Sequence, residues 1–464
     1  MMPLWTSDEM AKATGGNAQG VWNVNGISID TRTLASGDLF VALKGDNRDG
    51  HDFVTAALEK GAGAALVSSV PEGISPHAPL LVVDDTLDAL VAMGRAARAR
   101  SAAGIVAVTG SAGKTTTKEM LRLVLGREGK ISASAASYNN HWGVPLSLAR
   151  MERDAAYGVF EIGMNHEGEI RALVAQVRPH VAVVTTIAPA HLEYFGTLEA
   201  IADAKAEIFE GLEPGGTAIL PYDNPHYARL EAHARACGVT NILTFGSRDG
   251  ADARLLAGKP DGDLQMITAD IRGKRMVFAI GAQGAHIASN AMAVLLAAEA
   301  VGVDVVRASQ GLFGFAPLKG RGARLFVGDI ELIDESYNAN PASVSVALGL
   351  LQDARPKAGG RRIAVLGDML ELGSKGADLH RAIASDPAAA ATDFFFLCGP
   401  QMRALWEVLP VSRRGAYSEL SSGLNEGLLS LLRPGDVVLV KGSFGSRMSV
   451  VVEALKARDA AMTD

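Results

Sequence analysis

At 464 residues the chain exceeds one ordinary core, so about two to four domains are expected. Hydrophobic residues make up 48% and charged residues 20%, a globular balance that excludes a disordered chain. A formal charge of −7, from 44 basic and 51 acidic side chains, argues against nonspecific nucleic-acid binding, and two cysteines, Cys237 and Cys398, exclude a disulfide framework or thiolate metal cluster.

The opening stretch MMPLWTSDEM is acidic and lacks the basic-then-apolar pattern of a secretory leader. Up to about Arg100 the short strand candidates SIDTR, DLFVAL, AALVSS and LLVVDD are separated by Gly, Asp and Pro turns. The second part begins at GIVAVTG and alternates apolar strands with helical stretches. Its strand candidates include Ile105–Thr109, Gly158–Ile162 and Val181–Thr186. The most apolar helical run, NAMAVLLAAEAVGV, carries Glu299 and is too short to span a bilayer. A soluble cytoplasmic protein is expected. The third part begins near PLKGRG, with strand candidates at Glu331–Asp334, Ile363–Leu366, Phe394–Leu397 and Val437–Val440. This rhythm predicts an α/β fold of three domains, divided at 1–100, 101–315 and 316–464.

Within the second part, AVTGSAGKTTTK reads as a phosphate-binding loop shortened by two positions. The usual pattern is G-x-x-x-x-G-K-[ST], but Val108 stands where its first glycine belongs, and the loop becomes G-x-x-G-K-T from Gly110. A β-branched strand precedes it, and a helix follows in which Met120, Leu121, Val124 and Leu125 share one face. Gly110 and Gly113 let backbone amides of Ser111, Ala112 and their neighbours approach an anion. Lys114 can neutralise outer phosphates, and the hydroxyl of Thr115, next to Thr116, can hold Mg²⁺.

Glu161 ends the strand GVFEIG, and His191 follows the run VAVVTTIAPAH. In a parallel sheet the carboxyl ends of all strands share one edge, where ligands bind. Lys114, Glu161 and His191 are therefore expected on one rim. Glu161 inside an apolar strand wants a cation. His191 taken alone reads as a surface histidine; with Glu161 it suggests a second Mg²⁺ beside the one on Thr115.

The stretches TGSAGKTTTK, SYNNHWGVPLSLAR, EIGMNHEGEI, APAHLEYFG, AKAEIFEGL, HIASNAMA, KGRG, SYNANPAS and LGDMLELG occur in that order. Together they resemble the ATP-dependent Mur ligases, over nearly the whole chain. SYNANP with GDMLELG resembles the dipeptide-adding branch, and SIDTRTLASGDLFVALKGDNRDGHDFV resembles that branch's uridine-nucleotide-binding domain.

The resemblance implies a small uridine-nucleotide-binding α/β domain, a central phosphate-loop ATPase domain, and a Rossmann-like third domain that binds the incoming dipeptide and closes on ATP. It implies ATP, two Mg²⁺ ions and a monomer, with UDP-N-acetylmuramoyl-tripeptide and D-alanyl-D-alanine as substrates. ATP would phosphorylate the peptide's terminal carboxylate, and the dipeptide amine would attack the acyl phosphate. Lys205 would be a carbamylated lysine, although from its surroundings it reads as an exposed helical lysine. Asn290 would contact the adenine side, and Arg321 would reach ATP with Asp334 and Glu335 nearby. Thr31 and Arg32 would contact the uridine nucleotide, and Asn139 and Asn140 the substrate.

Several positions depart from the family pattern. Ala112 and Ile287 stand where relatives carry Asn, and Glu335 where many have Asp. His141 and Trp142 occupy the substrate-facing loop, where Trp142 either contacts the acceptor or packs. The competing classes are another Mur-type or folylpolyglutamate-type ligase and a phosphate-loop regulatory ATPase. No N-K-x-D is found to support a GTPase, and no G-x-G-x-x-G to support a dehydrogenase.

Overall fold

The computed structural model describes residues 2–463 apart from 46, 136 and 263, with side chains described up to residue 458. Three α/β layers follow one another along the chain. In the first, the strands Gly26–Ser28, Asp38–Val41, Ala64–Val67 and Leu80–Val82 run parallel, and Asn17–Ala18 joins the outer edge antiparallel. The helix Thr86–Arg100 starts from Asp85, whose carboxylate accepts the amides of Leu87 and Asp88 as an N-cap.

The central sheet has nine strands. Its parallel heart places Val181–Val184, Gly104–Thr109 and Tyr157–Glu161 side by side, so the expected rim exists as a physical edge. Thr217–Pro221 and Asn241–Gly246 extend it in parallel. Beyond them Ala253–Asp261, Leu264–Ile271 and Lys274–Ile280 add an antiparallel flap that the sequence reading did not identify. The helix after the loop spans Lys114–Leu125 and buries Met120, Leu121, Val124 and Leu125. The apolar run around Glu299 lies in the helix Ala285–Ala300, which is buried on most sides and completes the core under this sheet. Among the described residues no helix is long and apolar enough to cross a membrane.

The third layer is a six-stranded sheet. Its parallel strands are Ile330–Glu335, Val437–Lys441, Arg362–Gly367, Phe394–Cys398 and Arg414–Ser418, with Ala323–Val327 antiparallel at one edge. Both cysteines are free.

The layers are stitched together. The helix Gly143–Ala149 belongs by sequence to the central part, yet Leu146 and Ala149 complete the first layer's core. Trp5 Nε1 donates to the Ala149 carbonyl at 2.8 Å, and Arg150 Nε donates to Ile27 O at 2.6 Å. On the other side, Leu192 of the central part packs into the third core.

Candidate active site

The phosphate loop leaves its strand at Gly110, with φ +147°, and enters the helix through Gly113, with φ +84°. Both glycines are required by space as well as by dihedral. A Cβ at 110 would lie 1.9 Å from Thr185 Oγ1, and one at 113 would lie 2.9 Å from Asn290 Nδ2. The segment after the neighbouring strand braces the loop. Thr185 Oγ1 donates to the Ala112 carbonyl at 2.5 Å, Ser111 N donates to Thr186 O, and Ser111 Oγ exchanges hydrogen bonds with Ala188. Ala112 thus serves through its backbone, and the lost Asn side chain removes none of these bonds.

Lys114 folds back so that Nζ donates to Gly110 O at 2.7 Å. Burial depresses its pKa; the Glu161 charge pulls the other way and Arg321 adds to the depression. Thr115 Oγ1 donates to Glu161 Oε2 at 2.7 Å, and Asn139 Nδ2 donates to Glu161 Oε1 at 2.7 Å. Glu161 is only 1% exposed, so its carboxylate is held by two neutral donors in a buried place that favours a cation.

The expectation for Lys205 from its surroundings is corrected. It lies on the helix Leu198–Ala206 but is 1% exposed, because that helix turns this face into the cleft rather than to water. Its pKa falls well below the ordinary lysine value through burial, with Lys114 adding to the effect. No hydrogen bond or ion pair reaches its ammonium among the described residues.

These side chains line one cleft of about 770 Å³ that also takes in Thr116, Asn140, His191, Asn290, Arg321 and Glu335. Asn290 Nδ2 and His286 Nδ1 are buried there without a hydrogen-bond partner among the described residues, which leaves one donor and one ring nitrogen for a ligand. Arg321 stacks its guanidinium 3.9 Å from the Tyr337 ring centroid and donates to Ser137 Oγ at 3.1 Å, so it already faces the central layer. Glu335 accepts from Lys441, whose ammonium also binds Asn338 O.

Other expected residues are placed differently. Asp334 is fully buried and outside the cleft lining: one oxygen accepts Gly320 N, the other Ser336 N and Oγ, so it shapes the turn that carries Arg321. Asn140 spends its Oδ1 on the amides of Trp142 and Gly143. His191, in a left-handed backbone conformation at φ +59°, puts Nδ1 2.5 Å from Glu371 Oε2 of the third layer rather than against Glu161. Ile287 is buried in the central core.

Thr31 and Arg32 line a separate pocket of about 510 Å³ in the first layer, with Asp30, Arg48, Tyr138 and Trp142. Arg32 clasps Asp30 through Nε and Nη2, and those hydrogen bonds pull the Asp30 carboxyl down to about 2. Trp142 both packs against the first core and walls this pocket. Sequence reasoning missed Thr185, Lys441, His286 and Asn340, which only the fold brings to the cleft.

Neutral and anionic oxygens on Thr115, Glu161 and Asn139 suit a hard divalent cation. Among the described residues no three His, Cys, Asp or Glu side chains converge as a closed metal cage. That open donor set fits Mg²⁺, which keeps waters and shares substrate phosphates.

A phosphate loop on a parallel-sheet rim, roofed by a second α/β layer and joined to a separate pocket, defines a nucleotide-dependent group-transfer enzyme. Comparison with known families places it further. Residues 23–98 match the Mur ligase family catalytic domain, 108–298 the Mur ligase middle domain, and 321–444 the Mur ligase glutamate ligase domain. The chain is 34% identical to the UDP-N-acetylmuramoyl-tripeptide–D-alanyl-D-alanine ligase of Escherichia coli (strain K12), over 97% of this chain and 98% of the relative. It is 32% identical to the ligase of the same name from Rickettsia prowazekii, covering 97% of this chain and 99% of that one. A MurF crystal structure from Acinetobacter baumannii superposes with a TM-score of 0.86 at 30% identity, over 98% of this chain and 99% of that one. The chain belongs to the Mur ligase family.

Proposed function

We infer that this chain is an ATP-dependent ligase that joins D-alanyl-D-alanine to UDP-N-acetylmuramoyl-tripeptide, a step of peptidoglycan synthesis. The observation that carries this is the family membership at full length together with a loop, carboxylate and lysine set gathered in one cleft. In this reading residues 1–100 hold the uridine nucleotide, 101–315 bind ATP, and 316–464 bring the dipeptide and close on the nucleotide.

The phosphate-loop amides other than Ser111 N, which is spent on Thr186 O, and Lys114 receive the ATP phosphates, and Arg321 approaches from the roof as a second cation. Two anions meet when the peptide carboxylate attacks the γ-phosphorus, so fixed positive charge on the rim lowers that barrier. Thr115 and Glu161 would hold Mg²⁺, which supplies charge neutralisation for the phosphates when bound. A second ion at His191 is the finer form of this proposal; withdrawal of the ring from Glu371 would free Nδ1 for it.

Lys205 is a buried amine whose neutral form is favoured, and a neutral amine adds CO₂ to give a carbamate. The resulting anion would face Lys114 and balance the cations around the peptide carboxylate. Asn290 Nδ2 supplies an unspent donor beside Gly113 for the nucleotide. The Arg32 guanidinium, whose Nε and Nη2 edge is held by Asp30, offers its remaining N–H groups to the diphosphate of the uridine nucleotide.

Hydroxylamine offered in place of the dipeptide tests the order of events. ATP with the UDP-tripeptide should then give a hydroxamate and ADP together. ADP formed at the same rate without the peptide would fit a regulatory ATPase and count against a ligase.

A further inference from the structure

Ser111 has every polar group committed, and one commitment leaves its own layer. Its amide donates to Thr186 O at 2.8 Å, and its hydroxyl both donates to Ala188 O at 2.9 Å and accepts from Ala188 N at 3.0 Å. Its carbonyl accepts Asn340 Nδ2 at 3.3 Å, from the third layer, 229 positions away. Asn340 is the N-cap of the helix Pro341–Asp353: Oδ1 accepts Ser343 N at 2.9 Å, and its own amide donates to Ser343 Oγ at 2.9 Å. It is buried, so the one carboxamide serves two separate tasks with its two ends. The acceptor end caps the helix, and the donor end holds the phosphate loop. Farther along the chain from these braces, Glu193 N donates to Glu371 O at 3.0 Å, a second hydrogen bond between the central and third layers.

We propose that Asn340 is a positioning residue that couples the shape of the phosphate loop to docking of the third domain. The proposal rests on the ligase reading above. An acyl phosphate made while the third domain is away would meet water before the amine. The Nδ2–Ser111 bond ties the loop's backbone to the element that must be present for ligation, so the restraint on the Ser111 carbonyl is added to the loop's own-layer braces only with the roof on. The residue touches no reacting atom; it acts through Ser111.

Asn340→Ser separates the two tasks. Serine caps a helix about as well as asparagine but is too short to cap and also reach Ser111 O. Asn340→Asp keeps the cap as well and turns the donor into an acceptor facing a carbonyl. For Asn340→Ser the expected melting temperature is near wild type and ADP affinity is within about threefold; Asn340→Asp, which sets a buried carboxylate against a carbonyl, is expected to melt lower. For both variants the kinetic outcome is the same. Ligation kcat falls about tenfold, the size expected for one lost buried hydrogen bond. The ratio of ADP formed to amide product, near one in the wild type, rises above one as acyl phosphate is lost to water.

Wild-type kcat and a one-to-one ratio in both variants would overturn the proposal. So would a fall in melting temperature with the ratio still at one, since that leaves the cap as the whole role. If the wild-type chain itself made no amide product from the two substrates, the ligase reading would fall and the coupling with it.

Discussion

Thr115 Oγ1 and Glu161 Oε2 are joined by a 2.7 Å hydrogen bond between the first turn of one helix and the end of the neighbouring strand. In the ligase reading these two side chains would hold Mg²⁺. Replacing Glu161 with Gln keeps an oxygen for Thr115 but removes the charge and points an amide at Asn139 Nδ2. The Mg²⁺ concentration for half-maximal turnover should rise at least about tenfold, and chelation should abolish wild-type turnover. An unchanged Mg²⁺ requirement in Glu161→Gln would detach this pair from the metal.

Lys114→Ala removes the loop's fixed cation while leaving Gly110, Gly113 and their braces in place. Turnover should fall by ~10²–10³, with circular dichroism unchanged. Near-normal turnover would show that the loop is not the catalytic cradle.

Lys205 yields a stability prediction with a definite sign. Its pKa is depressed in the folded chain, so between that value and the ordinary one near 10.5 the unfolded chain binds the extra proton. Wild-type stability therefore gains as pH rises through that window. Lys205→Met should be inactive yet more stable near neutral pH in bicarbonate-free buffer, and its advantage should shrink toward pH 10. A rise of about 2–4 °C would correspond to ~1 kcal/mol for a domain of this size. An advantage independent of pH would mean the ammonium is not the source of the cost.

Arg32 sits far along the chain from the phosphate loop, in its own pocket, and is largely exposed. Arg32→Ala should raise KM for the UDP-tripeptide about tenfold with kcat nearly unchanged, the signature of binding lost equally in ground and transition states. A fall in kcat at constant KM would place Arg32 elsewhere in the mechanism.

The loop was legible because its parts are local: a β-branched strand, two glycines, a lysine and an amphipathic helix within about twenty residues. Glu161 was legible because a carboxylate in an apolar strand demands an explanation. Lys205 was not, since a helical lysine carries no mark of burial until the cleft around it is built. Asp334 was placed near ATP by the family resemblance alone; successive residues of a strand face opposite ways, and Asp334 faces inward to the Gly320 turn while Glu335 lines the cleft. The contacts Asn340–Ser111 and His191–Glu371 join distant segments that only tertiary packing brings together. The helix Gly143–Ala149 shows the same limit, since its apolar face completes a core assigned by sequence to another part. In the antiparallel flap, Ala253–Asp261 is mostly exposed and lacks a clean apolar alternation, whereas Leu264–Ile271 and Lys274–Ile280 do alternate and carried a legible signal.

The most direct test of the ligase account is mass spectrometry of the nucleotide product. Purified chain would be incubated with ATP, Mg²⁺, UDP-N-acetylmuramoyl-tripeptide and D-alanyl-D-alanine, with each component omitted in turn. The account predicts that the UDP-peptide gains the mass of the dipeptide less one water, with one ADP formed per amide bond, only in the complete mixture. ADP release at the same rate without the UDP-peptide, or a complete mixture that leaves the UDP-peptide mass unchanged, would contradict it.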